Sequence, residues 1–189
     1  MPMRVQEIHP ALAHFPIALI PTAVAADLVG VLTGDRALME TGRRLMPLAA
    51  ASVAATGIAG LVAQGAVRTD NGSHDLLVTH RNLNIGLLAL TAVLAGTRVR
   101  RRRPGPGYLL AGLAGAALAT YTGYLGGKMV YEHGVGVKAA GGIDPQRAPE
   151  IPGEGFSHAG RVSAENAAHA VRHTAHHLAE GEIAPALGQ

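Results

Sequence analysis

The sequence contains no cysteine and no tryptophan. The first absence excludes disulfides, thiolate metal ligands, covalently attached c-type haem and a cysteine nucleophile together. The second, with only two phenylalanines and four tyrosines (Tyr108, Tyr121, Tyr124 and Tyr131), leaves the aromatic belt of a membrane protein thin. There is no serine–histidine–acid pattern, no phosphate-cradling glycine loop and no paired-carboxylate motif, so hydrolytic and phosphoryl chemistry have no support. The formal net charge of +3 comes largely from one arginine run and is not read as nucleic-acid binding.

What is present is apolar and small. Of 189 residues, 48% are hydrophobic and 25 are glycine, and the apolar residues form long blocks rather than an amphipathic stripe. A membrane-spanning helix needs about 20 mostly apolar residues. Residues 10–32 supply the first span, interrupted by His14 and Asp27. Residues 45–67 supply the second, with Gln64 as its one strongly polar side chain. The third has a short uncharged run over 82–97, and sixteen residues reach only roughly 24 Å, so the helix is expected to start near Leu76. The fourth runs from Tyr108 to Tyr131 with Lys128 near its end. In hydrocarbon every backbone group must bond within its own segment, so the fold class expected is all-α. Ala23-Val24-Ala25 has the small residues of a signal-peptide cleavage site, but the apolar run continues past it and the segment is expected to be retained.

Charge orients the spans. Arg98, Arg100, Arg101, Arg102 and Arg103 link the third and fourth, and Arg36, Arg43 and Arg44 link the first and second. The positive-inside rule places these links in the cytoplasm of a bacterial cell and both termini outside. Gly57 and Gly60, Gly112 and Gly115, and Gly123 and Gly126 repeat at three-residue spacing, which lets helix backbones approach closely or makes room for a flat ligand. Asp27, buried in the first span, reads equally as a proton or ion relay and as a hydrogen-bonded carboxyl between helices.

With that topology, histidines converge on the outer level: His9 and His14 at the start of the first helix, His80 at the start of the third, His133 past the end of the fourth, and His74 in the outer loop. Imidazole is a ligand for haem iron, copper and zinc. His14, His80 and His133 are the favoured ligands, with His9 a fourth candidate. His9 and His14 lie about 140° apart around a helix, so both join one site only if the chain before Pro10 is non-helical. Asn84 shares a face with His80 and would orient a ligand or touch its polar edge. Arg81, Arg68 and Lys128 lie at the level where haem propionates need charge partners. Two imidazoles, small residues and nearby cations describe a non-covalent haem b site; a copper or zinc ion needs the imidazoles but neither the slot nor the cations.

The run 9–19, HPALAHFPIAL, with His80-Arg81 and the later GGKMVYEHGVGV over 126–137, resembles the bacterial membrane proteins grouped as domain-of-unknown-function family 2231. The resemblance covers roughly residues 5 to 138. It implies a four-helix membrane domain, and the joining of some relatives to cytochrome c modules suits electron transfer, although the family brings no established activity. This chain has no cysteine, so a partner would have to carry such a module.

From Ala139 the character changes. Gly141, Gly142, Pro145, Pro149, Pro152, Gly153 and Gly155 predict an extended outer linker. A polar helix is expected from Ser163, capped by that serine, with Glu165 and Asn166 in its first turn. His169, His173, His176 and His177 fall on one face of it, a weaker candidate metal or haem site that would equally serve to pack against the membrane domain or a partner.

The sequence thus predicts a four-helix transmembrane bundle over residues 1–138, then an extracytoplasmic linker and a short His-rich helix over 139–189. The function expected is haem b-dependent electron transfer with membrane or extracytoplasmic redox partners, as a carrier or subunit rather than a stand-alone enzyme. A histidine copper or zinc site for metal handling and a cofactor-free structural subunit of a larger membrane complex are the alternatives.

Overall fold

The computed structural model describes residues 3–151, 153 and 155–187. Four helices, α1 (Ile8–Thr33), α2 (Arg36–Ala66), α3 (Asn71–Arg100) and α4 (Pro106–His133), are each long and apolar enough to cross a membrane. A fifth, α5 (Phe156–Ala179), follows, and two-residue strands β1 (Met3–Arg4) and β2 (Glu150–Ile151) pair antiparallel. The fold is an all-α membrane bundle. Large apolar side chains such as Phe15, Leu32, Ile58, Val93 and Leu110 stay exposed along α1 to α4, a surface that lipid solvates and water does not.

The helices run past the apolar blocks because their ends are capped by polar residues outside them. Asp35 caps α2, its Oδ1 accepting from the N–H groups of Ala37 at 2.7 Å and Leu38 at 3.2 Å, so α2 begins nine residues before the span expected at Leu45. Asp70 caps α3 by accepting from Ser73 N at 2.8 Å while Ser73 Oγ accepts from Asp70 N at 2.9 Å, which moves the start of α3 from Leu76 back to Asn71. The α4 helix ends where Gly134 takes φ +64° and its N–H donates to Val130 O at 3.1 Å, a left-handed glycine closure that leaves His133 as the last helical residue.

The chain divides into two compact units. The first comprises residues 1–11, 57–83 and 124–189, and so joins the start of α1, the end of α2, the start of α3, the end of α4 and everything after it. Val5, Ala66, Ala148 and Ala159 form one small core there, and Leu76, Leu125, Met129 and Val135 another. The linker after α4 is held to this unit: Asp144 N donates to Ala66 O at 2.9 Å, Val67 bridges Ile143, and Arg4 pairs with Glu150. Helix α5 begins seven residues before the Ser163 expected, because Gly155 (φ +83°) turns the chain ahead of it. Asn166 therefore lies in mid-helix rather than in a first turn. It is buried against the backbone at Gly65 of α2 and donates to Arg147 O at 2.9 Å.

The second unit comprises residues 12–56 and 84–123. Ile20, Val24, Met46, Val53, Leu87 and Leu94 build its core. Small residues act here as expected: a Cβ at Gly112 would lie 3.0 Å from Val24 Cγ2, and one at Gly115 3.4 Å from Leu90 Cδ2. At its centre Asp27 and Arg98 form a fully buried ion pair. Arg98, read from the sequence as part of an exposed cytoplasmic link, is thus an interior residue of α3, and Asp27 is the bonded carboxyl between helices.

Candidate functional site

Two histidines meet in the first unit. His9, in the first turn of α1, and His80, in the third turn of α3, are both half-buried, with ring centroids 6.1 Å apart and planes at 88°. Each ring is backed by a glycine of another helix. A Cβ at Gly60 of α2 would lie 3.1 Å from His9 Cε1 and Nδ1, and one at Gly126 of α4 would lie 3.4 Å from His80 Cε1. These two glycines give room to imidazoles, whereas Gly112 and Gly115 give room to aliphatic side chains.

The residue that follows His80 in the sequence is a buried cation. Arg81, 7% exposed, donates from Nε to Asn82 Oδ1 at 3.0 Å, and its Nη1 and Nη2 are buried without a hydrogen-bond partner among the described residues. A desolvated guanidinium with two donors unmet is costly, and an anion at that point would satisfy both.

The other expected residues are placed differently. His133 ends α4 with Nδ1 3.6 Å from Asp70 Oδ1 and with its ring against Gly72. Eight residues of α3 separate Gly72 from His80, about 12 Å at 1.5 Å per residue, so His133 is not beside the His9–His80 pair. Asp70 is held below the usual carboxylate range by the Ser73 hydroxyl first and the Ser73 N–H next. Lys128 pairs with Glu132 one turn on, at 3.7 Å. Arg68 is exposed in the link between α2 and α3, and its N–H donates to Gly142 O at 3.1 Å. His14, exposed on α1, and Asn84, half-buried on α3, belong to the second unit. Since α1 starts at Ile8, the chain around His9 is helical, and the condition for His9 and His14 to share a site is not met.

The His-rich stripe of α5 lies in the first unit. The rings of His169 and His173 are 4.3 Å apart, and His177 stands 6.1 Å from both His173 and His176. His177 also faces His74 of α3, ring centroids 5.4 Å apart. Two residues that the sequence did not single out join it: Nδ1 of His177 is hydrogen-bonded to Glu182, and His176 Nε2 lies 3.4 Å from Glu180 Oε1. The His177 hydrogen bond holds the Glu182 carboxyl below its ordinary range. A histidine at helical spacing before a glutamate, as in His176 and Glu180, was the available signal.

The family described as "Predicted membrane protein (DUF2231)" matches residues 6–139. The chain belongs to this family. The match takes in His9, His14, His80 and His133 and ends before the His-rich helix. No curated protein and no solved structure matches the chain. Membership of DUF2231 therefore supplies a membrane protein of undefined activity, and any chemistry rests on the geometry above.

Proposed function

We propose that this DUF2231 protein is a membrane-bound electron carrier that holds haem b between His9 and His80. The observation that carries the reading is the ring spacing of 6.1 Å. An ion bound at roughly 2.0–2.1 Å by one nitrogen of each imidazole, with each nitrogen about 1.1 Å from its ring centroid, sets two centroids about 6 Å apart.

That spacing is common to haem iron and to a bare copper or zinc ion, and ligand count separates them. A bare zinc ion takes three or four protein ligands. Among the described residues, the grouping of three metal-ligating side chains lies at His177, Glu180 and Glu182, not at His9 and His80. Haem supplies its own four nitrogens and asks two of the protein, which is what α1 and α3 present. Arg81 adds the second support, since a haem propionate would meet its unpartnered Nη1 and Nη2. With no cysteine in the chain, attachment would be non-covalent.

Haem would supply one-electron chemistry, and the chain's part would be to hold it through His9 and His80, position it and insulate it. His9 and His80 would set the axis; Gly60 and Gly126 would fix how far each imidazole is pressed inward. Bilayer and helices would exclude water from the buried edge. Partners would be membrane or extracytoplasmic redox proteins, with the histidine-bearing end and both termini outside the bacterial cytoplasmic membrane, a placement the arginine distribution supports.

The test is an absorption spectrum of detergent-purified protein produced with ample haem, oxidised and then reduced with dithionite. A Soret band with reduced haem b bands is expected in the native protein and in His14→Ala and His133→Ala, and its loss in His9→Ala and His80→Ala. A colourless native protein contradicts the reading.

A further inference from the structure

We propose that the C-terminal turn of α5 is a second, separate site, where His177, Glu180 and Glu182 bind one zinc-class divalent cation and thereby fix the turn whose carbonyls Asn82 of α3 holds. The inference is independent of the haem reading, and the residues lie beyond the part of the chain that the family match covers.

Ligand chemistry is the first ground. One ligand atom from each of these three side chains lies within 4.8 Å of the others. Bonds of about 2.0–2.2 Å to an imidazole and two carboxylates are the ligand set of a three-coordinate zinc site that leaves a fourth position open. A water would complete four-coordination. One imidazole and two carboxylates are borderline-to-hard donors, which suit Zn²⁺ and exclude a site built for Cu(I).

The second ground is that backbone, not chance, builds the site. Gly181 takes φ +80°, and Glu182 N donates to His177 O at 2.9 Å, so α5 ends in a Schellman closure that returns Glu182 over His177. Without a left-handed residue between them, the two glutamates could not both reach the same imidazole. The turn is then clamped from outside: Asn82 Nδ2 of α3 donates to Glu182 O and Ile183 O, both at 2.9 Å, and Ala186 N donates to Thr79 Oγ1 at 3.0 Å. The carbonyl end of α5 also carries the negative end of the helix dipole, which favours a cation there.

The obvious rival is the four-histidine face. His169, His173 and His176 line an open surface together with Arg172, whose charge opposes a cation, and the one carboxylate near them, Glu180, already belongs to the turn. The turn brings two carboxylates and a histidine whose ligand atoms lie within 4.8 Å of one another. Binding there would rigidify the turn that α3 holds and stabilise the tail with the logarithm of free zinc.

The experiment is isothermal titration of ZnCl₂ into the metal-stripped, full-length protein in detergent, with limited proteolysis of the tail read in parallel. One high-affinity site is expected, with the tail protected from protease when it fills. His177→Ala and Glu182→Gln should each weaken binding at least tenfold and abolish the protection, while His169→Ala changes neither. Circular dichroism of both variants without zinc should match the native protein, which separates a lost ligand from a lost fold. If His169→Ala weakens binding while Glu182→Gln does not, the stripe is the site and the proposal fails. Absence of a stoichiometric zinc site in the native protein overturns it as well. His177→Ala leaves the histidines of the bundle untouched, so a haem spectrum unchanged in that variant keeps the two proposals separate.

Discussion

Arg98 of α3 grips Asp27 of α1 with both arms of its guanidinium: Nε donates to Oδ2 at 2.9 Å and Nη2 to Oδ1 at 2.8 Å, and neither side chain has any solvent exposure. The remaining donors reach backbone, with Nη2 bonded to Met39 O and Nη1 to Arg101 O and Arg102 O. A fork of this kind is the geometry in which a buried pair recovers its desolvation cost, because every proton finds an acceptor.

The pair should therefore be costly to break from one side only. Asp27→Ala and Arg98→Ala each strand a buried charge, and each should destabilise the protein by about 3–5 kcal/mol. Replacing both with leucine should cost less than the sum of the single changes. Denaturant unfolding in detergent micelles measures this, and simple additivity would contradict the account.

Gly42 offers a sharper version of the same test. A methyl group there would overlap the Asp27 carboxyl, so Gly42→Ala should destabilise the native protein markedly. In an Asp27→Ala background most of that cost should vanish, a coupling on the order of 0.5–3 kcal/mol. An equal cost in both backgrounds would show that the glycine serves something else.

Much of the fold was legible because apolar length has one solution in a bilayer. The blocks around Ile20, Val53, Leu90 and Leu118 had to be helices. Helix ends were less legible, since Asp35 and Asp70 cap α2 and α3 beyond the hydrocarbon, where composition carries little signal. Arg98 was misassigned because a charge count cannot distinguish an interfacial arginine from one that a helix turns inward toward the only acid in the first span. Glu182 was missed because its place over His177 depends on Gly181 adopting φ +80°, a three-residue event that no periodicity records. Of the histidines, the sequence favoured His14, His80 and His133 and placed His9 fourth, whereas the structure brings His9 and His80 together, since proximity depends on which helix faces are apposed.

The two glycines behind the imidazoles should tune the proposed haem site unequally. Gly60→Ala places a methyl group 3.1 Å from the His9 ring and Gly126→Ala one 3.4 Å from the His80 ring. Both should lower haem occupancy in purified protein, Gly60→Ala more strongly. Gly57→Ala, where nothing lies within 4 Å, should leave occupancy unchanged and serves as the control.

Acid should loosen the start of α3. Asp70 is depressed in the folded protein by Ser73, so its contribution is complete above the ordinary carboxylate range and is lost as pH falls through its own lowered value. The thermal midpoint should therefore decline on acidification, and Asp70→Asn should flatten that decline. Identical acid profiles for the two proteins would contradict the assignment of Asp70 as the cap.

Electron paramagnetic resonance of the oxidised, haem-loaded protein tests the central claim most directly, because the signal reports both the ligands and the angle between them. Imidazole planes at 88° predict a low-spin ferric signal of high anisotropy, with one dominant large g value, lost in His9→Ala and in His80→Ala. A native protein without a ferric haem signal, or a low-spin signal unaffected by either substitution, would contradict the assignment of His9 and His80 as the axial pair.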